Sequence, residues 1–346
     1  MAVNPGSTTT KLALFEDEAE ISREVLRHTS AEIGACGELW GQFEFRWNAL
    51  RRWICTNVRQ LSAVAAVGGL FRPVPGGTYR VNEQMLQDAR SKLQGAHASN
   101  LGCALADSVA GEYGCAAYVV DPVSVDEFEP LARYSGHPLI ERRSLSHALN
   151  IHATARRASA QLGIPLEASS LLIAHLGGGI SVAPVRGGRI IDINDASSDG
   201  PFSPERTGGL PLQPLITLCY SGAYSERDMR SLVMGKGGLV AYLGTNSALE
   251  LEERIRGGDQ NARQVYEAMA YQIAKEIGAM AAVLRGRVDV VVLAGGLAGS
   301  EMLVNWIRDR VAFLAPVLVF PGEDEMRALA EGALRVLRGE LEAREY

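Results

Sequence analysis

Two stretches that open the two halves of the chain share one hydrophobic pattern. Ala2 to Glu16 (AVNPGSTTTKLALFE) runs apolar, crosses a Pro–Gly–hydroxyl turn and becomes apolar again. Ser170 to Ile193 (SLLIAHLGGGISVAPVRGGRIIDI) does the same around three glycines. Each pattern predicts a β-hairpin, and its recurrence predicts two related domains. Between Asn261 and Leu284, the residues Val265, Met269, Ile273, Ile277, Met280 and Leu284 recur every three to four positions, the signature of one helix face. VDVVVLAGG (Val288 to Gly296) is a continuous apolar run into a glycine turn, which predicts a strand buried on both faces. Asp324 is placed to cap a last helix, EMRALAEGALRVLRG, with Met326, Leu329, Ala333, Leu334 and Leu337 inward. Strand, turn and helix alternating in this way predict an α/β fold.

Composition narrows the class. With 346 residues the chain is long enough for two cores. A formal charge of -6 gives no footing for nucleic acid or an anionic membrane surface as partner. No apolar run reaches the roughly 18 residues of a membrane span, and the N-terminal residues lack the pattern of a signal peptide, so the expected location is the cytoplasm. The five cysteines, Cys36, Cys55, Cys103, Cys115 and Cys219, have no C-x-x-C spacing and are expected to be reduced and mostly buried. The six histidines form no H-E-x-x-H motif.

Three glycine-bearing turns are the main candidates for chemistry. Asn4-Pro5-Gly6-Ser7-Thr8-Thr9-Thr10-Lys11 offers hydroxyls and backbone N–H groups to phosphate oxygens, although the same residues also make an ordinary hairpin turn. It lacks Walker A spacing. His175-Leu176-Gly177-Gly178-Gly179 follows a buried strand, and three glycines there invite close approach of a phosphate; His175 can donate to it or be a satisfied core histidine. Ala294-Gly295-Gly296-Leu297-Ala298-Gly299 has no G-x-G-x-x-G, but its strand end suits an adenosine. Asp121, closing the run AAYVV, is a carboxylate at a strand end of the kind that holds Mg²⁺. Arg206 sits in the Pro/Gly-rich GPFSPERTGG, and His147 near a predicted helix start; each of these three has a purely structural reading as well.

In this order, NPGSTTTK, PGGTYRVNEQML, HASNLG, VDPVSVDE, AHLGGGIS, GPFSPERTGGLP, GKGGLVAYLGTN, LAGGL and APVLVFPGEDE resemble the butyrate kinase branch of the acetate kinase family over nearly the whole chain. The resemblance implies two duplicated actin-like ATPase domains of the ribonuclease H-like kind, with an interdomain cleft that closes on ATP and Mg²⁺. It implies domains 1–147 and 148–324, with a C-terminal helix from about 325 to 346 packing back on the first. The implied activity is reversible phosphoryl transfer from ATP to the carboxylate of a short-chain fatty acid, by a homodimer or higher homo-oligomer. Carried over residue by residue, Asn4, His147, His175 and Arg206 are catalytic. Gly6, Ser7, Thr8, Thr10, Lys11, Gly177, Gly178, Gly179, Gly244, Asn246, Gly295 and Gly296 bind the nucleotide. His97, Asn100, Gly76 and Gly77 line the acid's pocket, and Asp121 with Glu325 positions Mg²⁺, Glu323 being a rival for the second place.

Three departures from the family pattern stand out. Only Met1, Ala2 and Val3 precede Asn4, where the family has a longer first strand. Val67 replaces an arginine in G-R-G-G-L, and Arg72, an odd number of residues away, is expected on the opposite face of an extended segment. Ser247 replaces an acid beside the nucleotide. The last two motivate an alternative, a nucleotide-binding relative with impaired catalysis. A kinase for acetate or propionate is a further alternative.

Overall fold

The computed structural model describes residues 1–346 except Glu323, so the rival metal carboxylate lies outside the described residues. The chain forms two compact units. The first comprises Met1–Asp126, Ala148–Asn150 and Asp324–Tyr346; the second comprises Glu127–His147 and Ile151–Glu323. The main boundary thus follows Asp126, whereas the family resemblance implies one after 147; the segment from Asp324 belongs to the first unit.

In the first unit β1 (Ala2–Pro5), β2 (Thr9–Glu16) and β3 (Ala19–Arg27) are followed by helices α1 (Ser30–Ala35) and α2 (Gln42–Asn57). Then come β4 (Ala63–Val67), β5 (Thr78–Arg80), α3 (Glu83–Ser91), α4 (Gly102–Tyr113) and β6 (Ala116–Val120). The sheet order is β3-β2-β1-β4-β6-β5. β1 is short but central: it pairs antiparallel with β2 (Asn4 opposite Lys11) and parallel with β4 (Val3 opposite Ala66). Val3, Leu12, Val64, Ala66 and Ala117 share one face of the sheet, covered by Leu50 and Ile54 of α2 and by Leu101, Leu105 and Val109 around α4. Val120, three residues from Ala117, faces the other way, and meets Gly332 of the last helix of the chain.

Helix α5 (Ala148–Leu162) begins in the first unit and continues in the second. β7 (Ser170–Leu176), β8 (Ile180–Arg186) and β9 (Arg189–Ile190) precede α6 (Leu212–Cys219), α7 (Glu226–Val233), α8 (Gly238–Leu243), α9 (Ala248–Arg256) and α10 (Gln260–Val283). β10 (Val290–Gly295), α11 (Glu301–Val311), β11 (Val317–Pro321) and α12 (Glu325–Leu337) complete the chain. The second sheet has the order β11-β10-β7-β8-β9, with β10 parallel to both neighbours and wholly buried. Setting β7, β8, β9, β10 and β11 against β1, β2, β3, β4 and β6 gives the same order in both sheets, so the paired hairpins read from the sequence are the start of a topological duplication. Met269, Ile273, Ile277 and Met280 of α10 pack on β7, β8 and β10 as their spacing predicts.

Some local expectations are corrected. Asp324 stands at the start of α12 but makes no capping bond; it pairs with Arg327 at 3.4 Å. Met326, Leu329 and Ala333 are buried, while Leu337, the last residue of α12, is 48% exposed just before the chain turns at the left-handed Gly339. Of the free cysteines only Cys103 is buried; Cys55 and Cys219 lie on exposed helix faces. Among the described residues no helix is long and apolar enough to cross a membrane.

Candidate functional site

In the second unit the hairpin β7–β8 closes over Gly177–Gly179, with the Gly177 N–H donating to the Gly179 carbonyl at 3.2 Å. His175, the penultimate residue of β7, is buried, and its ring centroid lies 4.5 Å from that of His147. His147 occupies the N-cap position of α5, and its Nδ1 is 2.9 Å from Ser181 Oγ on β8. Arg206 comes from the Pro/Gly loop, and its guanidinium lies against Gly179: a Cβ there would stand 2.6 Å from Arg206 Cζ, so any larger residue would displace the guanidinium. Its Nη1 donates to the Ala196 carbonyl at 3.0 Å. Burial pushes the Arg206 pKa below the usual arginine value, and Glu205 and Asp195 pull it back up; an arginine there remains cationic. Ser203 Oγ donates to the Gly178 carbonyl at 2.6 Å, a second tie from the same Pro/Gly loop to the glycine turn. The structure therefore brings His147, His175, Gly177 to Gly179 and Arg206 together.

Beside them is a cavity of about 200 Å³ lined by Gly177, Gly178, Pro204, Glu205, Asn246, Gly296 and Leu297. Asn246 Nδ2 donates to Glu205 Oε1 at 2.5 Å, giving the cavity lining a hydrogen-bonded polar pair. Gly295 ends β10 at φ +97° beside Gly296, and Gly244 is the left-handed C-cap of α8. Ser247 is the N-cap of α9, accepting from the Glu250 N–H. A helix cap is thus what the serine at this departure position supplies.

In the first unit Asn4 on β1 donates to Glu325 Oε2 at 2.6 Å, and Lys11, opposite it on β2, reaches the same oxygen at 3.4 Å. Asn150 Nδ2 donates to Glu325 Oε1 at 3.4 Å. Gly6 to Thr9 form the turn, with Ser7 and Thr8 exposed. Thr10 is turned inward: it is fully buried, and its hydroxyl contacts His28 and Arg46. That leaves Ser7 and Thr8 as the outward hydroxyls. Asp121 follows β6 at φ +39°, a left-handed conformation that costs a non-glycine residue about 1 kcal/mol or more. Its amide and carboxylate are both tied to Gly77, at 2.9 Å to the carbonyl and 2.7 Å from the N–H.

Asn100 is fully buried with its carboxamide spent on backbone, accepting from Leu70 N–H at 2.9 Å and donating to the Gly95 carbonyl at 3.2 Å; it holds the 68–70 turn in place. His97 caps the short turn Ala98–Leu101 and is exposed. Gly76 and Gly77 precede β5. Val67 ends β4 half-buried, and Arg72 is engaged with Asp88 at 2.5 Å and with the Tyr346 ring at 5.3 Å. Sequence patterns did not single out Arg46, Ser181, Ser203 or Asn150, because each acts through a contact with a residue distant in the chain.

Mg²⁺ is the ion that the family resemblance implies. Asp121 and Glu325 are oxygen donors suited to it, and among the described residues no three acidic, histidine or cysteine side chains form a cage. One or two carboxylates completed by nucleotide phosphates is the usual protein contribution to Mg²⁺ binding, so the donor set fits.

Comparison with known proteins places the chain in a family. The acetokinase family matches residues 135–315. Butyrate kinase 2 of Clostridium acetobutylicum is 48% identical over 350 residues, covering 100% of this chain and 98% of that protein. The crystal structure of Porphyromonas gingivalis acetate kinase superposes with a TM-score of 0.79 at 18% identity, covering 97% of this chain and 98% of that one. A propionate kinase from Francisella tularensis subsp. tularensis SCHU S4 gives 0.79 at 15% identity, with 96% and 97% covered. At that identity the two structures speak for the fold alone, that of the duplicated actin-like ATPase domains. With a family match over more than half its length and a full-length relative at 48% identity, the chain belongs to the acetokinase family.

Proposed function

We propose that this chain transfers the terminal phosphoryl group of ATP reversibly to the carboxylate of butyrate, or of a related short or branched acid, giving an acyl phosphate and ADP. One observation carries the reading: an imidazole pair, a glycine loop and a buried guanidinium meet around Gly177–Gly179. The C. acetobutylicum relative supports butyrate as the acid.

A fatty acid is ionised at pH 7, since its pKa is about that of a glutamate side chain, near 4–5. It needs no general base. The obstacle is repulsion between an anionic nucleophile and an anionic phosphate, so catalysis is a matter of placing positive charge and N–H groups where charge develops. Arg206, His147, His175 and the Gly177–Gly179 amides are assigned that part in the second unit, and Asn4, Ser7, Thr8 and Lys11 in the first. Asp121 and Glu325 would hold Mg²⁺, which when bound neutralises phosphate charge. The cavity between Gly178, Glu205, Asn246 and Gly296 is assigned to the nucleoside. A homo-oligomer belongs to the same reading: α6 and its C-cap residue present Leu212, Ile216 and Tyr220 to solvent, an apolar surface suited to a second copy. Light scattering of the purified protein checks it.

The test is a hydroxamate assay of acyl phosphate with Mg-ATP and acids of two to five carbons. Product is expected with butyrate and, because one methylene is worth only about 1–3 kcal/mol of discrimination, with its neighbours too. Measurable ATP binding with no product from any acid would instead favour the non-catalytic reading that Val67 and Ser247 motivate.

A further inference from the structure

Arg46 is the largest fully buried side chain among the described residues, and the chemistry assigned so far does not use it. It stands on the first turns of α2, behind the Gly6–Thr9 turn. Nη1 donates to the Thr9 carbonyl at 2.8 Å and to Thr10 Oγ1 at 3.0 Å. Nη2 donates to the Ser7 carbonyl at 3.0 Å and to Gln42 Oε1 at 3.0 Å, and Nε donates to Gln42 Oε1 at 3.2 Å. The five donors of the guanidinium are thus all placed, and every acceptor is uncharged. Among the described residues Arg46 makes no ion pair. His28, also bonded to Thr10, does not help, since burial and then Arg46 itself push its pKa down.

Two consequences follow. A buried guanidinium stays protonated, and a buried charge without a counter-ion is costly; a turn that needed only a mechanical brace would be served by neutral donors. Second, in a trans peptide the C=O of one residue and the N–H of the next point in opposite directions. Drawing the Ser7 carbonyl toward Arg46 turns the Thr8 N–H away from it, to the side where Ser7 and Thr8 are exposed. The outer surface of the turn then carries an N–H, two hydroxyls and the field of a buried cation, a combination that suits a phosphate dianion.

We propose that Arg46 is a positioning residue for a phosphoryl-binding turn: it fixes the Ser7–Thr8 peptide with its N–H outward and holds behind it a positive charge that an incoming phosphoryl group neutralises. This rests on the kinase reading above. It gives the Asn4–Lys11 turn a preference for the terminal phosphate of ATP over an empty site.

Arg46→Gln and Arg46→Lys test it, with thermal shifts in Mg-ATP and Mg-ADP measured beside kinetics. Arg46→Gln is expected to lower kcat about 10- to 100-fold, a cost in the range of a displaced or missing electrostatic contact, with KM for ATP changed less than about 3-fold. The extra stabilisation by Mg-ATP over Mg-ADP should fall to less than about half of the unsubstituted value, because a ligand stabilises only through its preference for the folded site. Arg46→Lys keeps the charge without the fork and should fall between. A purely structural Arg46 would lower the melting temperature in every condition yet leave the ATP-minus-ADP difference and kcat intact; that result overturns the proposal, as does a lysine variant indistinguishable from the unsubstituted protein. If the unsubstituted chain makes no acyl phosphate, the kinase reading fails while the ATP-minus-ADP difference still decides the role of Arg46.

Discussion

At the scale of single residues, two charged groups of the second unit invite opposite expectations. Arg206 is held on Gly179, and its charge is assigned to the phosphoryl group in flight rather than to the nucleoside. Arg206→Ala should therefore lower kcat by roughly 100- to 1000-fold, with a much smaller change in ATP affinity measured by calorimetry. Near-normal turnover in that variant would refute the role. Asp199, earlier in the same loop, has a buried Oδ1 with no hydrogen-bond partner among the described residues. Burial raises its pKa from 3.8 to about 6; Arg142 opposes the shift, while Asp195 and Glu276 add to it. The folded state then binds the proton more tightly than the unfolded one, so the contribution of Asp199 to stability is present at low pH and is lost as pH rises through about 4 to 6. Asp199→Asn should be more stable than the unsubstituted protein at pH 8, by at most about 3 kcal/mol. The gap should close on acidification, which denaturation at pH 5, 6, 7 and 8 would show. A gap that stayed constant across that range would remove the buried carboxylate as its cause.

Elements differ in how openly the sequence declares them. β10 and α10 follow from local periodicity, and the two hairpins from apolar runs around polar turns, because burial of those segments is decided by their own residues. Other features depend on partners far along the chain. β5 is a three-residue edge strand that nothing local marks out, and residues near the C-terminus cover it: Arg344 N–H donates to the Thr78 carbonyl at 2.8 Å and Arg80 N–H to the Arg344 carbonyl at 2.9 Å. Tyr346 anchors this strap, its hydroxyl donating to Asp88 at 2.8 Å and its ring standing edge-on to Phe71 and Tyr79. Arg344 lies over Gly77, whose φ of +150° and lack of Cβ make room for it. In the candidate site, likewise, the glycine turns and Arg206 are legible because glycine and proline leave a local signature, whereas Arg46 looks like any arginine on an amphipathic helix. Asp324 illustrates the reverse: a good capping residue by type and place, it makes an ion pair instead. Tyr346→Phe should cost about 1.5–3 kcal/mol, the range for a hydrogen bond to a carboxylate, since it removes the bond to Asp88 along with the one accepted from the Arg72 N–H. Amide exchange at Thr78–Arg80 should rise with it, and unchanged exchange there would mean that the strap does not depend on its anchor.

For the molecule as a whole, the repeated strand order conceals an asymmetry of assembly. The main core cluster of the second unit is drawn entirely from residues between Leu172 and Val311. The first unit instead takes α12 from the far end of the chain, and α12 covers the sheet face opposite α2 and α4 with Met326, Ala328, Leu329 and Ala333. Burying Met326 and Leu329 alone is worth roughly 1.5–3 kcal/mol each. Their sum is a large share of the roughly 5–15 kcal/mol that holds a typical domain folded. α12 also brings Glu325 to Asn4, Lys11 and Asn150, so the first unit acquires both its second sheet face and its carboxylate only when the last residues are in place. A variant lacking residues 324–346 should accordingly lose hydrogen-exchange protection in β1, β4 and β6 while β7, β8 and β10 stay protected. Protection retained in all six strands would mean that the sheet of the first unit stands without α12. Loss in all six would mean that the second unit also depends on it, against the self-contained core its buried residues describe.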